Sequence, residues 1–308
     1  MINTAYITHS FCGLHNMGDY HPESPHRLAA INDRLIASGL INYLIPHEAT
    51  EANIEHLERV HSQEFIQSII AAAPKQGLHH IDDDTVMNSH SLQAALCGAG
   101  AGVMAVDLVM KQLANSVFCA VRPPGHHAEH HRAMGFCFFN NIAVAAAHAL
   151  EHYQLERIAI IDFDVHHGNG TEDIFRHDTR VLYCSTFQHP FYPYSGSDTK
   201  NEHIFNYPLP AGSDGAYMQS IMTQNALPII DEFAPQLILI SAGFDAHKLD
   251  PLAHLRWVES DYVWLTQQLQ ALSFKHSDGR IVSMLEGGYD PDALGRSVNE
   301  HIRALLEG

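Results

Sequence analysis

Ile161-Asp162-Phe163-Asp164-Val165-His166-His167 sets two carboxylates and an imidazole at every second position. If the chain stays extended there, Asp162, Asp164 and His166 project to one side, because strand side chains alternate with period two. Two ligands at i and i+2 can share a metal, and Asp245 in Ala242-Gly243-Phe244-Asp245-Ala246-His247 offers a third oxygen ligand. An Asp/His/Asp set leaves positions open for water or substrate, as a catalytic rather than a structural zinc site requires. Three carboxylates on one wall would repel without a cation. The same aspartates could instead cap helices from an acidic loop, and taken alone the motif leaves both readings open.

Hydrolysis at such a centre needs a base, an acid and an oxyanion donor. The turn Arg122-Pro123-Pro124-Gly125-His126-His127 can supply the first two. Its prolines restrict the approach and Gly125 allows a sharp reversal, so His126 and His127 can enter a site at different depths. Tyr289, released by Gly287-Gly288, can donate its phenolic proton to an oxyanion. Adjacent histidines prove nothing by themselves: with 25 histidines in 308 residues, chance alone gives about two such pairs. His126-His127 and His166-His167 follow apolar strand-like runs, whereas His79-His80 and His130-His131 read as solvated loop residues.

The elements that must position these groups recur with a regular rhythm. Short β-branched or apolar runs at 4–8, 117–121, 157–163, 181–185, 237–241 and 281–285 alternate with helical patterns such as 25–38, 141–151, 218–233 and 260–274. That alternation predicts a mainly parallel sheet covered by helices on both faces, a three-layer α/β/α fold. No linker or charge block divides the chain, so residues 1–308 read as a single domain. In an open α/β sheet, reactive groups collect beyond the carboxyl ends of the strands. RPPGHHAE, DVHHGNGT, AGFDAH and EGGYD all fall there.

Composition narrows the functional classes. A formal net charge of −18 argues against nucleic acid and anionic membrane as partners and mildly favours cationic substrates. Five scattered cysteines without a CxxC pair suggest neither a disulfide framework nor a thiolate zinc knot, hence a reducing, cytoplasmic setting. The N-terminus has no secretory pattern. The Ala/Gly-rich run 92–110 reads as a buried helix rather than a membrane span, and its GAGAG lacks a full GxGxxG for a dinucleotide.

RPPGHHAE, GFCFFNN (135–141), DFDVHHGNGT, SAGFDAH and EGGY, in this order, resemble the signature blocks of the zinc-dependent histone deacetylase superfamily. HPESPHR (21–27) is similar to that family's N-terminal loop, above all in its class II branch and the bacterial amidohydrolases. The resemblance implies an arginase/deacetylase-like fold and one zinc per chain, held by Asp164, His166 and Asp245. It implies that His127 is the general base and later passes the proton to the leaving amine. His126 would be its electrostatic partner, backed by Asp162. Asn169 stands behind His127 where other members carry Asp. Tyr289 matches the residue that polarises the acyl carbonyl. Phe136 and Tyr192 would flank a narrow slot, with the Gly135 carbonyl near the substrate amide and Leu252 at the mouth. A structural potassium ion is implied beside Asp162, Asp164, His166 and Ser185.

The expected substrate is an acetylated lysine in a peptide or protein, with an acetylated polyamine as the alternative. Polyamine-selective relatives tend to place a glutamate where this chain has Leu252, and they carry a loop insertion that is missing here; one of Asp82, Asp83 and Asp84 could replace that carboxylate. An inactive module that binds acylated amines would lack a ligand, the base or the tyrosine, and all are present. A ureohydrolase of similar fold would need two manganese ions. Oligomeric state is left open.

Overall fold

A computed structural model describes residues 3–307. Ten strands run in chain order: β1 Thr4–Thr8, β2 Ile45–Glu48, β3 His79–His80, β4 Val86–Met87, β5 Ser116–Cys119, β6 Ile158–Asp162, β7 Val181–Gln188, β8 Ile204–Leu209, β9 Leu237–Ala242 and β10 Ile281–Leu285. Eight form one sheet in the order β2-β1-β5-β10-β9-β6-β7-β8, and each neighbouring pair is parallel. Helices cover both faces, so the central strands are continuous apolar runs rather than alternating ones. In β6, Ile158 and Ile160 pack on one side with the helices Ser91–Met110 and Asn141–His152. Ala159 and Ile161 pack on the other with the helices His26–Ser38, Glu259–His276 and Pro291–Glu307. This is the three-layer α/β/α architecture expected.

The edges differ from expectation. β2 and β8 carry Pro46 and Pro208 and are partly exposed, which weakens the apolar signal of a strand. Proline is tolerated there because an edge strand leaves some N–H positions unpaired. The helix expected over 218–233 is three pieces: Gly215–Ile221, a π-helical turn Met222–Ala226 and Leu227–Phe233. Pro228 has no N–H to donate, and the wider turn just upstream absorbs the missing bond. His79-His80 is not loop: it forms β3, an exposed strand paired antiparallel with β4. His130 is not freely solvated either, since its Nδ1 lies 2.7 Å from the Val60 carbonyl.

The Ala/Gly-rich helix Ser91–Met110 is long and apolar enough to cross a membrane, but 67% of its most apolar window is buried inside the protein. Its glycines serve close packing. A Cβ on Gly100 would run into the Thr50 carbonyl, and one on Gly102 would press on Ala145 of the neighbouring helix. No phosphate-binding turn exists at GAGAG, which lies inside the helix.

Candidate active site

β5, β10, β9 and β6 are consecutive in the sheet, so the four loops leaving their carboxyl ends share one rim. The loop after β6 does not remain extended as the spacing of its aspartates suggested. The strand ends at Asp162 and the chain bends through 164–166 before the helix Asn169–Phe175. This bend separates the carboxylates. Asp162 turns to the His126 Nδ1 and the Tyr183 hydroxyl, both at 3.0 Å. Asp164 and His166 turn instead to Asp245, and the ligand atoms of the three lie within 4.8 Å of one another.

The donor set fits a zinc ion. His166 Nδ1 is 3.0 Å from Asp164 Oδ1 and 3.3 Å from Asp245 Oδ2. The outer oxygens are oriented by backbone donors: Gly287 N to Asp164 Oδ2 at 2.7 Å, and Val165 N to Asp245 Oδ1 at 2.9 Å. Asp245 Oδ2 is buried with no hydrogen-bond partner. Burial and the neighbouring Asp164 push its carboxyl pKa up. A cation at this point would satisfy that orphaned oxygen and offset the repulsion. Gly243 and Gly287 leave room for the carboxylates, where a Cβ would strike Asp164 or Asp245.

The RPPGHH turn is pinned from several sides. Glu286, at the end of β10, accepts hydrogen bonds from Gly125 N at 2.7 Å and His126 N at 3.1 Å. Asn141 Nδ2 donates to the Pro123 carbonyl at 3.1 Å, and Asn140 Nδ2 to the Ala128 carbonyl at 3.1 Å. Thus the paired asparagines of GFCFFNN hold the turn that carries the histidines. His126 and His127 do reach different partners. Burial opposes a charge on His126, but Asp162 and Asp164 outweigh it and raise the imidazole to about 10. Burial, reinforced by His126 and His166, holds His127 well below the usual histidine range. The His127 Nδ1 bonds Asn169 Oδ1 at 2.8 Å. The pair is thus a neutral His127, able to accept a proton, beside a cationic His126.

Tyr289 and His127 both line a cavity of about 220 Å³, together with Gly135, Phe136, His166, Phe191, Tyr192, Leu252 and Asp84. Burial raises the Tyr289 phenol well above its usual range, so it is a proton donor and not a phenolate. Phe136 meets its ring edge-on, with centroids 5.9 Å apart. Tyr192 packs edge-on against both His127 at 5.2 Å and His166 at 6.0 Å. The Gly135 carbonyl accepts the Cys137 thiol at 3.3 Å. Of the residues singled out from sequence, Gly135, Phe136, Tyr192, Leu252, His127, His166 and Tyr289 line this cavity, while Asp164 and Asp245 cluster with His166.

Several residues escaped the sequence reading. Phe191 stacks on His166 at 5.5 Å and forms the wall beside Tyr192. Asp250 receives Tyr289 N at 2.6 Å and Leu252 N at 2.9 Å, tying the tyrosine loop to the slot mouth. The Arg27 guanidinium lies 4.9 Å from the Tyr289 ring centroid and donates to the Gly288 carbonyl at 2.6 Å. It is held in turn by buried Glu23, which also pairs with Arg122. A charged residue ending an apolar strand, as Glu286 does, was a readable signal; the pairing of Glu23 with two distant arginines was not.

Residues 21–305 match the family model described as the histone deacetylase domain. The chain belongs to the histone deacetylase family. It is 39% identical to histone deacetylase 14, chloroplastic, of Arabidopsis thaliana, over 93% of this chain and 73% of that protein. It is 37% identical to the polyamine deacetylase HDAC10 of Mus musculus, over 92% of this chain and 45% of that protein. The crystal structure of the HDA15 HD domain superposes with a TM-score of 0.94 at 32% identity, covering 99% of this chain and 88% of that one. Deacetylation, hydrolysis of an acyl-amine bond, is the chemistry of a histone deacetylase family member.

Proposed function

We propose that this chain is a zinc-dependent deacylase, one domain over residues 1–308, that removes acetyl groups from the ε-amine of lysine in peptides or proteins. The observation that carries the reading is a single slot lined by His127, Tyr289 and His166, the last of which clusters with Asp164 and Asp245. Zinc held by those three residues would polarise the acyl carbonyl and acidify water. His127 takes the proton of the attacking water at Nε2 and returns it to the leaving amine. His126, paired with Asp162, places positive charge beside that base. Tyr289 donates its hydroxyl to the developing oxyanion. Phe136, Phe191, Tyr192 and Leu252 exclude bulk water and fit an aliphatic stem.

Potassium is proposed on the family resemblance. Asp162 and Ser185 are register partners on β6 and β7, which supports a shared cation there. The five cysteines are free and buried, which supports a reducing compartment such as the cytoplasm.

An acetylated polyamine is the second substrate reading. It is favoured by a wider cavity of about 730 Å³ beside the slot, which shares Asp84 and Tyr192 with it and adds Asp82 and Asp83. The deciding experiment compares kcat/KM of the zinc-loaded protein on an acetyl-lysine peptide and on an acetylated polyamine, with metal counted by elemental analysis. A ratio above one for the peptide and one zinc per chain support the first reading. A ratio below one supports the second, and two manganese ions per chain would sink both.

A further inference from the structure

We infer that Glu129 fixes the direction of the Asn169 amide and, through it, the tautomer of His127, and that this pairing is why asparagine stands behind the base. The inference deepens the deacylase reading and rests on it for its kinetic consequences. His127 Nδ1 is 2.8 Å from Asn169 Oδ1, and Asn169 Nδ2 donates to Glu129 Oε1 at 2.7 Å. The same Glu129 oxygen accepts from Arg132 at 3.0 Å.

A carboxamide presents an acceptor at one end and a donor at the other, with nearly the same shape either way round. Turned over, Asn169 would set its oxygen against the Glu129 carboxylate, two acceptors in contact with no proton between them. It would also set its NH₂ against His127 Nδ1. That nitrogen would then have to accept, the ring proton would sit on Nε2, and the base would have no lone pair facing the slot. A carboxylate accepts only, so Glu129 excludes this state. Asn169 is left donating to Glu129 and accepting from the Nδ1–H of His127.

The residue that sets the direction is itself well held. Glu129 follows His127 by two residues on the same turn, its N–H bonds the Arg132 carbonyl at 2.8 Å, and its carbonyl lies 3.0 Å from His61 Nδ1. The other His61 nitrogen accepts from Asn140 N at 2.9 Å, next to the helix that buttresses the turn. Asn169 opens its own helix, and Gly170 N there donates to the His126 carbonyl at 3.0 Å. Base, amide and carboxylate are thus fixed relative to one another from both ends.

An aspartate at position 169 could accept from His127 with either oxygen and would need no orienting partner. Beside Glu129, however, it would bring two carboxylates together across the 2.7 Å now bridged by an N–H. Glu129 with Asn169 is one consistent solution, and a neutral residue at position 129 with an aspartate behind the base is the other. Two facing carboxylates are neither.

The test is a double-mutant cycle of wild type, Asn169→Asp, Glu129→Gln and the double variant, read as separate kcat and KM on the zinc-loaded full chain. Asn169→Asp is expected to lose about ten-fold or more in kcat with little change in KM, Glu129→Gln about three-fold, and the double variant to return to the Glu129→Gln level. If Asn169→Asp fails to fold while the double variant folds, the same coupling is expressed in stability and supports the pairing. An equal loss from Asn169→Asp in both backgrounds would overturn it. The ¹⁵N shifts of the His127 ring, assigned by difference from His127→Ala, need no substrate: Nδ1 should be protonated and Nε2 bare. A proton on Nε2 overturns the inference whatever the activity. The expected tautomer in a protein that turns over no acylated amine would instead refute the deacylase reading alone.

Discussion

His127 and His301 are both buried, both lose basicity through burial, and both hold a hydrogen-bond partner at Nδ1, yet only one belongs to the site. His301 sits in the core between the Thr266 hydroxyl at 2.6 Å and the Ser283 hydroxyl at 2.9 Å. Thr266 already gives its proton to the Tyr262 carbonyl. It therefore accepts from His301 Nδ1–H, and Ser283 donates to Nε2. Both nitrogens are used and nothing reactive remains. His127 carries its proton on the same nitrogen, toward Asn169. Its Nε2 makes no hydrogen bond among the described residues, and its ring lines the slot. Burial and a lowered pKa thus do not mark a functional histidine here. What separates the two is that His127 lines a cavity with one ring nitrogen left without a hydrogen bond among the described residues.

Replacing each histidine should separate the two roles. His127→Ala is expected to lose about 10²–10⁴ in kcat, the scale of a general base, with the unfolding midpoint nearly unchanged; steady-state kinetics with a parallel melt checks both. Wild-type turnover in that variant would erase the contrast. Tyr289→Phe extends the comparison to another residue of the same cavity, with about 10²–10³ lost in kcat for one oxyanion donor. Single-turnover rates should fall by the same factor, and a loss confined to KM would assign Tyr289 to binding alone.

His301→Gln should invert the pattern. Strained or unmet bonds at Thr266 and Ser283 are expected to cost about 1–3 kcal/mol in urea unfolding, while kcat per folded molecule stays within about two-fold, as for a substitution remote from the site. A large fall in kcat would show the core histidine coupled to chemistry after all. The smallest effect is one of pH. Burial lowers the folded His301 pKa from 6.5 to about 3, so between those values the unfolded chain binds a proton that the folded chain does not. Its contribution is therefore fully present above the unfolded pKa and is lost as pH falls below it. Between pH 7.5 and 5.5 wild type should lose about 1 kcal/mol more than His301→Gln, measurable as a difference in urea midpoints. Equal losses in the two proteins would mean that His301 titrates normally in the fold.

Legibility followed the range of the interaction. The central strands were readable because residues buried on both faces make continuous apolar runs. β2 and β8 were not, since an edge strand with a proline lacks that signal. The Asp164/His166/Asp245 cluster was readable as three residue types at strand ends, but for a geometric reason that failed: the chain bends after Asp162, and the bend, not strand alternation, brings Asp164 and His166 to Asp245. Phe191 was passed over beside Tyr192, because adjacent aromatics in a loop have no period that tells which one faces inward.

What the sequence determined by itself is the inventory: which side chains can ligate, donate or accept, and which apolar runs must be buried to place them on a common rim. Side-chain chemistry and local periodicity are properties of neighbours along the chain, so a single sequence displays them. Only the tertiary structure decided which aspartates cluster with His166, where a metal could be held, and which meets His126. It also decided which buried histidine keeps a free nitrogen, and that Glu129 faces the amide behind the base. Those outcomes depend on contacts between segments that can lie more than a hundred residues apart, as Gly287 does from Asp164, and on the direction of single hydrogen bonds. Neither is encoded in local spacing.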